Sequence, residues 1–290
     1  MADECNLVKK PLGLGTCPKM PGYFRRMFTT APNWAIPAAT LASGNAAVLA
    51  YLQAAILSKE IYLWPQMFSS ESQSEETTYQ STPLGKRKVR DGFYEWLINF
   101  SDSLCSHRAM YTHRATSGRI IFWDTDNQII GTQNVDGDFL GFSIQMLNTE
   151  KFMPNTGSEV AMSPVRVTLT DNLELDRDGS LIGMSALSTL IPLTEIEVAV
   201  VSAIATAVVV DVKVMCDSVP LEGLTTGDFI LLTAGGASQV ITSVTESGSI
   251  PGRYTLAGTG LVTGTVNTAP PDDLSVQAYE SLTPAVVTIA

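Results

Sequence analysis

The chain has 290 residues, enough for two domains that each bury a core. Hydrophobic residues make up 45% and charged residues only 16%, well under the roughly 25% usual in soluble domains, so further copies or partners are expected to cover much of the surface. The net charge of -11 lies mostly in residues 191–290, with 10 acids against 2 bases, which excludes a protein that grips a nucleic-acid backbone and leaves one that lets DNA slide past.

Residues 1–42 combine Pro and Gly with Tyr23, Phe24, Met27, Phe28, Trp34 and Ile36. This composition predicts an extended N-terminal arm with apolar anchors, since a free tail would lack the aromatics. The start has no apolar run or cleavage site, so no secretory signal is expected. Cys5, Cys17, Cys105 and Cys216 show no CxxC or ligand spacing and read as reduced, partly buried thiols.

Ser43 to Ser58 predicts a helix with Ser43 as N-cap and a face of Val48, Leu49, Leu52, Ala55 and Ile56, laid on a sheet. A short strand, Ile61 to Trp64, follows. Residues 68–85 are rich in Ser, Glu, Thr and Gln and predict a long polar loop. The acids Glu71, Glu75 and Glu76 and the bases Lys86, Arg87, Lys88 and Arg90 are candidate assembly residues, complementary between adjacent copies. Gly92 to Phe100 alternates as a strand, and Ser101 or Asp102 caps a helix running to Arg114.

Ser117 to Asp171 predicts a β-meander with runs at Arg119 to Trp123, Gln128 to Thr132, Asp138 to Phe152 and Val160 to Thr170, broken by Asp, Asn, Gly and Pro turns. In the third run, Leu140, Phe142, Ile144 and Met146 share the buried parity, while Ser143 and Gln145 face outward or into a lumen. Asn172 to Leu190 leads out through the turn Asp176-Arg177-Asp178-Gly179. The domain boundaries expected are therefore 1–42, 43–190 and 191–290: an arm, a β-sandwich or barrel with packed helices, and an all-β sandwich of short Val, Thr and Gly-rich strands. The apolar run Val198 to Val210 is too short to span a bilayer and reads as strand, so no membrane partner is expected.

His107 and His113, six apart, point to different helix faces. Asp124-x-Asp126-x-Gln128 and Asp176-x-Asp178-Gly179 lack the Gly and Glu positions of a calcium loop. Asp136 and Asp138 read as a turn. With no dinucleotide, phosphate-loop, nucleophile-elbow or zincin motif, the chain is expected to be no enzyme and to need no cofactor or metal.

Leu224 to Gly258, LTTGDFILLTAGGASQVITSVTESGSIPGRYTLAG, resembles the bacterial Ig-like modules of phage and cell-surface proteins. Over about residues 40–190, the IIFWDTDNQIIG hairpin and the GDFLGFSIQML strand before a Pro and Gly-rich loop resemble the tail tube (major tail) proteins of tailed bacteriophages. The resemblance implies homo-oligomeric rings stacked as a tube in the virion, assembled in the host cytoplasm, with other virion proteins as partners and transient, non-specific passage of DNA. The Ig-like module would decorate the exterior, with weak cell-surface or glycan contact. Another virion component (capsid decoration, head-fibre base or connector) shares these features; a surface adhesin or carbohydrate-binding module is a second alternative.

Overall fold

A computed structural model describes residues 5–6, 22–82, 85–101, 103–158, 160–276 and 278–289. Residues 1–4 and 7–21 of the predicted arm, Leu84 and the candidate cap Asp102 lie outside the described residues. The chain divides into two compact units, Met1–Leu190 and Ile191–Ala290, both mainly β.

In chain order the first unit comprises β1 (Cys5–Asn6), β2 (Phe24–Thr30), α1 (Ala38–Ala42), α2 (Asn45–Leu57), β3 (Ile61–Leu63), β4 (Ser69–Ser72), β5 (Thr78–Thr82), β6 (Gly85–Arg90) and β7 (Glu95–Phe100). It continues with α3 (Leu104–Thr112), β8 (Arg119–Asp124), β9 (Gln128–Gln133), β10 (Phe139–Leu140), β11 (Phe142–Thr149), β12 (Ser163–Leu169), α4 (Glu174–Asp178) and β13 (Gly179–Gly183). Neighbouring strands run β1-β13-β9-β8-β11-β12-β7-β4, with β2 pairing β8 and β3 pairing β2. One margin of β8 is shared: Phe122 and Trp123 pair with β9, while Arg119 and Ile120 pair with β11. The sheet turns a corner there, so its two halves face each other across one core of Met27, Trp96, Ile98, Phe100, Phe122, Phe142, Val165 and Val167. Phe24 stacks on Phe122 at 4.2 Å within it. Phe28, Ile121 and Trp123, on the other parity of β2 and β8, are buried as well, and α2 contacts β3.

The corner explains a departure from the predicted single strand Asp138 to Phe152. Gly141 separates β10 from β11, and a Cβ there would sit 2.6 Å from the Ile120 carbonyl oxygen, so only glycine lets the strand cross β8. A register shift against β12 between Ile144 and Met146 then flips the pleat. Phe142 and Ile144 are buried as predicted, but beyond the shift Leu147 and Thr149 take the core positions, and Leu140 and Met146 are only partly buried.

Other differences have equally local causes. Residues 24–30, read as arm, form a strand between β3 and β8, because Met27 and Phe28 are needed on opposite faces of it. Ser43 ends α1 instead of starting the long helix; Gly44, at φ +94°, is the N-cap of α2. At the other end of α2, Lys59 N–H donates to Ile56 O and Glu60 N–H to Ala55 O, a Schellman closure that places Lys59 at φ +62°. Ser103 caps α3, its hydroxyl accepting from Ser106 N–H. Residues 172–190 do not merely lead out: α4 absorbs the Asp176 turn, and β13 enters the sheet between β1 and β9. The predicted loop 68–85 is largely strand, since β4 pairs β7 and β5 pairs β6. Cys105 and Cys216 are disulfide-bonded rather than reduced.

The second unit contains β14 (Thr194–Ile204), β15 (Ala207–Val214), β16 (Phe229–Thr233), β17 (Ser238–Gln239), β18 (Ile241–Glu246), β19 (Arg253–Gly258), β20 (Gly264–Thr268), β21 (Tyr279–Glu280) and β22 (Ala285–Val287). They form a five-stranded sheet, β18-β19-β15-β14-β21, and a four-stranded one, β17-β16-β20-β22. Val198, Val208, Val210, Val212, Phe229, Leu231, Tyr254 and Val266 join the two sheets in one core, a sandwich as the alternating strands predict. Buried Tyr254 donates its hydroxyl to Leu221 O at 2.7 Å, and burial pushes its pKa up to about 12. Asp228 of the GDF stretch caps the turn at Thr225 and accepts from Ser275 N–H and Oγ–H, fastening the loop before β21 to the start of β16. Burial opposes its charge, but these hydrogen bonds hold it below the usual carboxylate range.

Candidate functional site

All of the candidate assembly residues but Glu71 lie on or at the base of one feature, the β5–β6 hairpin. It is a separate two-stranded sheet whose strands pair Ser81 with Lys86, Gln80 with Arg87, Tyr79 with Lys88 and Thr78 with Arg90. Its base is held by a bridge between Glu75 and Phe93, and Gly92 passes so near Glu75 O that a Cβ would lie 2.3 Å away. All six residues of β6 are exposed, including Val89 at 62%, and Tyr79 across the hairpin is 58% exposed.

The charges are partly satisfied within one chain. Arg90 pairs with Glu75 at 2.8 Å and lies over the Phe93 ring, and Lys88 pairs with Asp91. Exposed pairs of this kind contribute about 0–1 kcal/mol each. Glu71 projects from β4, opposite Leu97, outside the hairpin. Among the described residues Glu71, Glu76, Lys86 and Arg87 have no ion-pair partner. The expected complementarity between copies is thus confined to these four, with Arg90 and Glu75 already complementing each other.

The two strand residues assigned to a lumen part company. Gln145 is exposed at the register shift. Ser143 is tied inward: its N–H donates to Glu174 Oε2 at 2.7 Å and its hydroxyl to Oε1 at 3.2 Å, while Arg119 approaches Oε1 at 3.5 Å. Burial pushes the Glu174 carboxyl up, against the Ser143 and Arg119 contacts that favour its charge. This cluster ties α4 to β11 and β8, and nothing in the spacing of residues 119, 143 and 174 announced it.

A cavity of about 490 Å³ opens beside β2, bordered by Thr30, Trp34, Lys59, Tyr62, His113 and Ile144. His113, the C-cap of α3, stacks edge-on to Tyr62 at 4.5 Å, and burial pushes its pKa down, so it is neutral at pH 7. Among the described residues its ring makes no hydrogen bond to a hydroxyl or carboxylate. His107 is buried, its ring 5.3 Å from Phe152.

One carboxylate in each of two Asp-rich turns is occupied by protein donors. Asp124 accepts from Gly22, Asp126 and Gln128 N–H and from the Gln128 amide, leaving little for a cation. Asp138 accepts from Ala38 N–H and Asn134, a turn that also starts α1. Among the described residues no cluster of His, Cys, Asp and Glu could hold a metal, and no helix is long and apolar enough to cross a membrane.

Neither a protein-family model nor a curated protein matches the chain.

Proposed function

We propose that the protein is a structural virion subunit that assembles with copies of itself into rings, stacked as a phage tail tube, with the second unit outside as decoration. The observation that carries this reading is the β5–β6 hairpin. An isolated two-stranded hairpin is marginal in water, and this one exposes every residue of β6 together with Tyr79. A second copy is the covering that low charge density and the unpaired Glu71, Glu76, Lys86 and Arg87 support. In such a ring Gln145, exposed on β11, is the residue left to meet passing DNA, because Ser143 is engaged by Glu174.

The test is negative-stain microscopy of the concentrated full-length protein beside a variant in which residues 77–91 are replaced by a short Gly-Ser link. Tubes or stacked rings for the first, and their loss in a folded second, are the expected result. Closed oligomers without tubes would favour another virion component, and a protein monomeric at every concentration would defeat the reading.

A further inference from the structure

Five arginines among the described residues are partly buried: Arg25, Arg26, Arg119, Arg166 and Arg253. Three face carboxylates. Arg119 meets Glu174 at 3.5 Å, Arg166 meets Glu150 at 3.1 Å and also Glu95, and Arg253 meets Asp211 at 2.6 Å. Among the described residues the guanidiniums of Arg25 and Arg26 have no hydrogen bond or ion pair; their contact is with one aromatic ring.

The backbone brings these two together. Along β2, Phe24 lies opposite Asp124 and Arg26 opposite Trp123, with the register shifting between them, so Arg25 is the extra residue of a bulge. A bulge disturbs the strict alternation of a strand, and here both guanidiniums lie 5.5 Å from the centroid of the Trp123 ring. Trp123 itself is 1% exposed and forms a rigid base. Asp124, the acid next to it in sequence, is committed to its own turn. Two like charges are therefore held against one ring and within electrostatic reach of each other, partly out of water, with no counter-charge among the described residues. Burial and then the neighbouring Arg25 push the Arg26 guanidinium down.

We propose that Arg25 and Arg26 form an oxyanion-binding site over Trp123 that takes a carboxylate or phosphate group. The guanidinium fork matches both groups bidentately, and stacking on an aromatic ring fixes its direction. The oxyanion comes either from free phosphate or from an acidic side chain of a second copy. The proposal does not depend on the tube reading, because the first source needs no assembly.

Phosphate is titrated into dilute full-length protein at constant ionic strength, with chloride as the exchanged anion, and melting temperature and tryptophan fluorescence are followed. The expected result is a saturable rise in melting temperature, as for any ligand that binds only the folded state. It should be absent in Arg25→Gln/Arg26→Gln and at least tenfold weaker in Arg25→Lys/Arg26→Lys, which keeps the charges and loses the forks. Without phosphate, Arg26→Gln should melt no lower than the parent, since a repulsion is removed; a clear loss of stability there would make the guanidinium structural and overturn the proposal. In a second arm, sedimentation in chloride measures self-association. A tenfold weaker association of the double Gln variant would assign the oxyanion to a second copy. An equal phosphate response in parent and double Gln variant, or no response together with unchanged association, overturns the site.

Discussion

Each unit contains an antiparallel hairpin, and the two differ in where their side chains go. In β14–β15, Val198, Val208, Val210 and Val212 alternate into the sandwich core while Glu197 and Lys213 pair on the other face. In β5–β6 the hydrogen-bond ladder is as continuous, but no residue of β6 is buried and the hairpin belongs to no larger sheet. The pairing of backbones shapes a hairpin; burial of one face holds it. The first hairpin finds its cover inside the chain, and the second finds none among the described residues.

The contrast can be broken most severely at Val210. Val210→Asp places an unpaired carboxylate in the sandwich core at a cost of roughly 3–5 kcal/mol, and circular-dichroism melts should show the second unit unfolded. Phe142→Ala does comparable damage in the first unit, about 3–5 kcal/mol, because Phe142 is fully buried at the corner. A cooperative melt near the parent's for either variant would mean that its strand is not a core strand.

A smaller effect separates the ion pairs of the two hairpins. Arg253 reaches across from β19 to Asp211 of β15 with two hydrogen bonds, at 2.6 and 2.8 Å, and these hold Asp211 below the usual aspartate range. A depressed folded pKa means stability that is present above the unfolded value, about 3.9, and lost as pH falls through the folded one. Arg253→Ala should therefore lower the melting temperature at pH 7, and the gap to the parent should close below about pH 4. Arg90→Ala, which removes only an exposed pair with Glu75, should show neither the loss nor the pH dependence.

The smallest effect on the monomer, and the sharpest test of the comparison, is Val89→Asp. At 62% exposure it should change monomer stability by no more than about 0.5 kcal/mol. Sedimentation should nonetheless show weaker self-association if the hairpin is covered by a second copy. Unchanged association would leave the hairpin without the role given it here.

The sequence by itself determined the elements whose own side chains carry the signal. Apolar runs between Asp, Asn and Gly turns located β8 and β9, the Tyr94 to Phe100 alternation located β7, and the Val-rich strands after residue 194 located the sandwich, because burial on one face leaves a period in the sequence. Tertiary structure decided what has no such period. The polar strands β4, β5 and β6 exist because distant or adjacent backbones complete their ladders, which composition does not record. The break at Gly141 and the flip after Ile144 come from one strand serving both halves of a folded sheet, so a correct parity at Phe142 became a wrong one at Met146. The Ser143–Glu174–Arg119 cluster and the Arg25–Arg26 pair on Trp123 likewise depend on contacts between elements far apart or out of register. A sequence shows which residues must leave water; which residues then meet is settled only when the strands choose their neighbours.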